Sequence, residues 1–246
     1  MKEIYESLRS RAQEVARELG PPAFYRNHDK EVQASLAHLD QDATLFRLRE
    51  HVSSVLEDDF GHGLRHALLV TRDAGALAII GARQEQIADA EARAILRCAQ
   101  AAGLLHDACR KEPEHALRSA EAARPVLLRF SFPEDEVEEI AAAIANHEAF
   151  RQPVRMSRPS GQAVSDCLYD ADKFRWGPDN FTDTVWCMAS FHEVPFSTFQ
   201  RAYRQGIQAI EKIKGSFRTP TGRAYGAEII DMGLEIGRRV ISPLIE

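Results

Sequence analysis

Long apolar runs are missing from this sequence. None approaches the roughly 20 residues that a membrane-spanning helix needs, so no membrane partner is expected. Cysteine is scarce: Cys98, Cys109, Cys167 and Cys187 are the four in 246 residues, and no two form a CxxC pair. That usage fits a reduced, cytoplasmic compartment rather than a disulfide scaffold. The opening segment MKEIYESLRSRAQEVAREL is charged and amphipathic, unlike a secretory leader. Basic residues are outnumbered, 31 against 37, and the resulting charge of −6 argues against a broad face for polymeric nucleic acid. Glycine-rich phosphate loops of the P-loop or GxGxxG type are absent. So are Asn-Gly and Asp-Gly turns between alternating Val, Ile, Thr or Tyr residues, which removes the usual signal for hairpins.

What is present is helical periodicity. Ile4, Leu8, Val15 and Leu19 stand four or seven apart and end at Gly20-Pro21-Pro22. The same spacing predicts helices over about 45–56, 64–80, 85–106, 162–174, 182–213 with a break near Pro195, and 221–243. Pro113 and Pro133 precede acidic residues and read as first-turn prolines. The segments 20–30 and 151–160 read as loops. The expectation is an all-α chain, with residues 1–44 as an N-terminal helical extension and 45–246 as one domain.

The chemistry-bearing feature is AAGLLHDAC, residues 101–109. Ile95, Ala99, Ala102 and His106 are spaced four, three and four apart, so His106 should point where the core side chains point. Charge there needs compensation. A His and an Asp at the inward end of an apolar helix form a natural pair of metal ligands, imidazole nitrogen with carboxylate oxygen. A second His-Asp dipeptide, His28-Asp29, has no apolar helix leading into it and reads as a surface pair. Upstream, DFGHGLRHALLV places His62 and His66 four apart. Downstream, IAAAIANHEAF puts His147 on an apolar helix face, and CLYDADKFRWG sets Asp170 and Asp172 among apolar neighbours.

Taken in order, His66, His106-Asp107, His147 and Asp172 resemble the HD-domain superfamily of metal-dependent phosphohydrolases. HGLRHALLV is similar to that family's first-ligand helix, LLHDACR to its "LLHDIG-K/R" element, EHALRSAEAA to the short helix that follows, and DADKF to its last-ligand element. The resemblance spans about residues 45–240. It implies a single HD-type helical bundle with an added N-terminal helix. Four ligands for one divalent ion (Mn, Fe, Co, Ni, Zn or Mg) fall on His66, His106, Asp107 and Asp172. Cys109 departs from the family's usual Gly in the element following the His-Asp pair. For a second ion only His147 is well placed, with His115 a poorer candidate, so one metal is expected.

The reaction implied is hydrolysis of a nucleotide or related small phosphate ester or anhydride by a metal-activated water. Asp107, Arg110 and His147 are the catalytic candidates, and Arg110, His115, His147, Lys173 and His62 the candidates for substrate binding. Each cation could instead be a solvated surface residue, and each His a hydrogen-bonded structural one. Glu148 and Glu112 are possible acid/base groups. Asp73, seven residues after His66, could orient an imidazole or be exposed. Arg151, Arg155 and Arg158 could steer an anion or form an ordinary polar loop. Among Phe174, Trp176, Phe181 and Trp186, an aromatic could stack on a base or simply pack. Two other classes remain: a di-iron oxidative HD enzyme, which needs a complete second metal site, and a non-catalytic sensor that binds a nucleotide or metal in the same pocket.

Overall fold

Apolar residues three and four apart decide where each helix lies. In the computed structural model, which describes residues 2–56 and 63–241, Tyr5, Leu8, Ala12 and Val15 form the buried stripe of α1 (Lys2–Leu19). Gly20 ends that helix at a φ of +75°, a left-handed conformation that glycine adopts without strain. The following helices are α2 (Ala23–Asn27), α3 (Asp29–Gln41), α4 (Ala43–Val55), α5 (Leu64–Gln84), α6 (Asp89–Leu105), α7 (His115–Arg129), α8 (Glu134–Ala145) and α9 (Pro159–Phe174). A π-helical turn at Asn180–Thr184 leads into α10 (Val185–Phe191), then α11 (Phe196–Ile213) and α12 (Pro220–Ile241). Among the described residues there is no strand.

Local chemistry sets the helix ends. The Asp42 carboxylate accepts hydrogen bonds from the backbone N–H groups of Thr44 and Leu45, capping α4. Pro133 stands just outside α8, whose first turn Glu134, Asp135 and Glu136 is acidic, as favours the positive end of a helix. Pro113 lies outside α7, beyond Glu114, so neither proline sits within the first turn. The segment 20–30 is not a plain loop: it contains α2 and the start of α3. Val32, Ser35 and Leu39 bury one face of α3, which packs on α5. The stretch 151–158 is non-helical, as the sequence suggests.

The centre of the bundle is α5, α6, α8 and α9, with α7 laid along α8. Two glycines bring the first pair unusually close. A Cβ on Gly103 of α6 would stand 2.7 Å from the Cα of Thr71 on α5. One on Gly75 of α5 would meet the Gln100 side chain at 2.9 Å. Helix α1 packs on α10, α12 and the π-turn.

One buried ionic group ties α2, α5 and α9 together. Arg175, just past α9, pairs with Asp73 of α5 and with Asp179, and donates to the Tyr25 hydroxyl oxygen. The Tyr25 hydroxyl in turn donates to Asp73 at 2.6 Å, and Arg72 Nε completes the set at 2.7 Å. Asp73 is therefore neither exposed nor engaged with an imidazole: it neutralises a buried arginine.

Candidate metal centre

Helix ends assemble the site. His66 is in the first turn of α5, His106 and Asp107 directly follow α6, His115 opens α7, His147 lies just past α8, and Asp172 is in the last turn of α9. The C-terminal ends of α6, α8 and α9 thus converge, and their unpaired carbonyls favour a cation.

The distances are short. His66 Nε2 lies 3.2 Å from His106 Nε2 and 3.4 Å from Asp172 Oδ1. His106 Nε2 lies 3.9 Å from the same Asp172 oxygen and 3.6 Å from Asp107 Oδ2, which is 3.8 Å from His66 Nε2. All four side chains are buried. His106 Nδ1 sits 2.9 Å from the carbonyl oxygen of Gly103, and His147 Nδ1 is 2.6 Å from that of Ile144. A carbonyl only accepts, so Nδ1 carries the proton in each ring, and a neutral ring then turns the Nε2 lone pair inward. The backbone does what a second carboxylate does at many metal sites.

Asp107 also faces a second group. Its Oδ1 is 3.5 Å from His147 Nε2 and 3.6 Å from His115 Nε2. That oxygen is fully buried and receives no hydrogen bond among the described residues. An ionised oxygen so placed is costly unless a cation meets it. Two sets of donor atoms therefore lie within mutual reach, 4.8 Å: His66, His106 and Asp107, and Asp107, His115 and His147. Nitrogen and carboxylate donors in these sets fit a divalent ion of the first transition row or Mg. His115, the poorer candidate on sequence, is as close to Asp107 as His147 is, because α7 begins with it and points its ring back across the cluster.

Charge states suit ligation. Burial pushes the His106 imidazole down to about 4, so it is neutral near pH 7. Burial lowers His115 as well. For Asp107, burial pushes the carboxyl up, but the neighbouring imidazoles and the Arg110 guanidinium outweigh it and hold the group well below its usual range. Asp172 is held low in the same way by Lys173, His66 and His106 against its burial.

The two candidate cations differ. Lys173 is buried, with Nζ on Asp172 Oδ2 and the ring of Tyr169 beneath it at 5.1 Å. Arg110 is partly exposed and places Nη1 2.6 Å from Asp107 Oδ2. Asp170, two residues before Asp172 on the helix, points away: it accepts hydrogen bonds from the backbone N–H groups of Arg218 and Thr219 at 2.8 Å and from the Thr219 hydroxyl at 2.7 Å. Glu148 approaches His115 Nδ1 at 3.7 Å, whereas Glu112 is exposed and 4.0 Å from Arg118. Arg158 is committed to Asp135 and Glu139, and Arg151 and Arg155 are exposed. His28 stands apart from the cluster, against Glu31, Phe24 and Tyr225. His62 falls outside the described residues.

The cluster opens into a cavity of about 660 Å³. His66, Arg110, His115, His147, Asp172 and Lys173 line one end. The remainder is walled mainly by α10 and α11, with Phe150, Asn180, Thr184 and His192 beside them, a contribution that no motif in the sequence signals. Of the four aromatics in the 173–186 stretch, Phe174, Phe181 and Trp186 are buried, and Trp176 stands half-exposed at the cavity's edge.

Comparison with solved structures gives the same architecture. A crystal structure of a predicted HD superfamily hydrolase from an uncultured Thermotogales bacterium superposes with a TM-score of 0.52, at 21% identity, over 85% of this chain and 98% of that one. At that identity the likeness concerns the fold: this chain has the all-α HD-domain fold. No family model and no curated protein matches the sequence.

Proposed function

We propose that the protein is a metal-dependent phosphohydrolase that cleaves a small phosphate ester or anhydride at the end of the cavity nearest His66 and His106. One observation carries the reading: His66, His106, Asp107 and Asp172 come from three separate parts of the chain, and donor atoms of both carboxylates lie within 3.4–3.9 Å of the two imidazoles, themselves 3.2 Å apart, beside two cations and a ligand-sized cavity. These four residues would hold the ion. A divalent ion there supplies Lewis-acid chemistry, lowering the pKa of a water and polarising a phosphoryl oxygen.

The chain's own residues do the rest. Lys173 fixes the Asp172 carboxylate by binding its outer oxygen, leaving Oδ1 toward the imidazoles. Arg110 sits between Asp107 and the cavity, where its charge attracts a phosphoryl group and offsets negative charge developing on the equatorial oxygens. His115 is neutral near pH 7 because burial lowers its pKa, so it suits an acceptor or ligand role better than that of a ready proton donor.

A second reading has its own observation. The orphaned Asp107 Oδ1 between His115 and His147 favours a second ion sharing Asp107, the arrangement that a two-metal hydrolase or an oxidative HD enzyme requires. A phosphate-release screen over monoesters, diesters and anhydrides, run separately with Mn, Mg, Co, Ni, Zn and Fe, tests both. Turnover with at least one redox-inert ion supports hydrolysis. Absence of phosphate release with every ion, joined to oxygen consumption with iron, would replace it by the oxidative reading.

A further inference from the structure

The cavity beside the cluster has two unlike ends. Charge and imidazole gather where α5, α6, α7, α8 and α9 meet. The opposite wall is made largely by α10 and α11, whose lining side chains are almost wholly hydrocarbon, with Asn180, Thr184 and His192 at its border. Phe199, Tyr203, Ile207, Ile210 and Ile213 recur every three or four residues along α11 and bring its apolar side to the cavity, while Arg201, Arg204, Gln208, Glu211 and Lys212 face solvent. An amphipathic helix ordinarily spends its apolar stripe on a neighbouring helix. Here Phe199, Ile210 and Ile213 are packed into the core, but the middle of the stripe, Tyr203, Gly206 and Ile207, keeps accessible surface in the cavity. Gly206, midway along the same face, makes this plain: a Cβ placed on it would meet nothing within 4 Å. From α10, Val185, Met188 and Ala189 continue the same surface.

Polar partners are correspondingly few. Among the described lining residues of α10 and α11, Tyr203 is the one whose side chain carries a polar atom, and its hydroxyl is buried against Gly237 of α12. A nucleoside seated on the α10 and α11 side chains would leave those of its base and sugar groups that are out of reach of Asn180, Thr184 and His192 without hydrogen bonds, at a loss of about tenfold or more in affinity for each. A hydrocarbon loses nothing there. The volume, about 660 Å³, is that of a site for a drug-sized ligand.

We propose that the phosphorylated substrate is an amphiphile: a phosphate head at the His/Asp cluster and a hydrocarbon tail, on the order of ten carbons, lying along α10 and α11. The head-group half rests on the phosphohydrolase reading above; the tail half rests on the cavity wall alone. Arg110 receives the anionic end, while Lys173 at the same end holds Asp172 in place.

Calorimetric titration of the full chain, as purified, with ethyl-, butyl- and octylphosphonic acid tests the tail. Each methylene moved from water onto this wall is worth about fourfold in affinity, so octylphosphonate should bind at least about a hundredfold more tightly than ethylphosphonate. Gly206→Leu, which fills the open space, should cut that preference about tenfold or more. Ile207→Glu should do the same by a different route. Thermal unfolding of both variants checks that they fold, and the wild-type series decides the matter without them. Equal binding of ethyl- and octylphosphonate, or tighter binding of adenosine monophosphate than of octylphosphonate, overturns the proposal. Phosphate release from ethyl and octyl phosphate, measured in parallel, separates the two readings. Hydrolysis of both at equal kcat/KM removes the tail and keeps the hydrolase. Chain-length-dependent binding with no release under any divalent ion removes the hydrolase and keeps the tail.

Discussion

Gly103 of α6 lies against the backbone of Thr71 of α5, closer than any side chain at that position would allow. His66 is five residues before Thr71 and His106 three after Gly103, so this contact sets how near the two imidazoles come. Gly103→Ala would place a Cβ 2.7 Å from Thr71 Cα, a backbone atom that cannot rotate away. Better helix propensity returns about 1 kcal/mol, while overpacking costs about 1–3 kcal/mol, so the variant should be less stable and hold less metal. Gly81→Ala, with nothing within 4 Å, should gain stability. Unfolding midpoints that rise equally for both would show that the helix contact is slack.

The two aspartates of Tyr169-Asp170-Ala171-Asp172 have separate work. Asp172→Ala should lose metal and activity together. Asp170→Ala should keep metal but cost roughly 1–3 kcal/mol, since it strips the partner from part-buried N–H groups of Arg218 and Thr219 just before α12. Metal content and chemical denaturation of both variants check this; equal metal loss would mean that the acids share one function.

Arg175 and Asp73 form a buried pair. Arg175→Met leaves the Asp73 charge short of its buried partner and should cost about 3–5 kcal/mol. Replacing both, with Asp73→Leu added, should restore a good part of that loss. A double variant no more stable than the single one would contradict this account.

The metal-free protein should weaken in mild acid. His106 titrates at about 4 when folded against an ordinary value of 6.5, so between those pH values the unfolded chain takes up a proton that the folded chain refuses. Stability therefore falls as pH drops through this window, by about 3 kcal/mol in all from this group. Asp170, pushed up to about 6 by burial, acts in the opposite sense. Comparing wild type with His106→Asn isolates the first effect: the difference between them should shrink from pH 7 to pH 4.5. A constant difference would mean that His106 is not buried as a neutral ring.

Much of this was legible in the sequence, and for physical reasons. Apolar spacing of three and four marks most of the helices because burial demands it. The inward course of α6 toward His106-Asp107 follows from Ile95, Ala99 and Ala102 lying on one face. What escaped has equally definite causes. Helix α3 carries a sparse buried face with Ser35 in its middle. Asp73 reads as either exposed or set to orient an imidazole because its partner, Arg175, is 102 residues away. The place of His115 depends on the turn between α6 and α7, where Glu114 adopts a positive φ of 54° that no motif announces. The apolar wall of α11 looks on paper like any amphipathic helix; only the fold reveals that it faces a cavity.

The most direct test is elemental analysis of metal per chain in wild type, His106→Ala, Asp107→Ala and His28→Ala, purified identically. The account predicts at least one divalent ion per chain in wild type and in His28→Ala, and about a tenfold loss or more in the other two, each of which removes a donor. Equal metal content in all four proteins would contradict it.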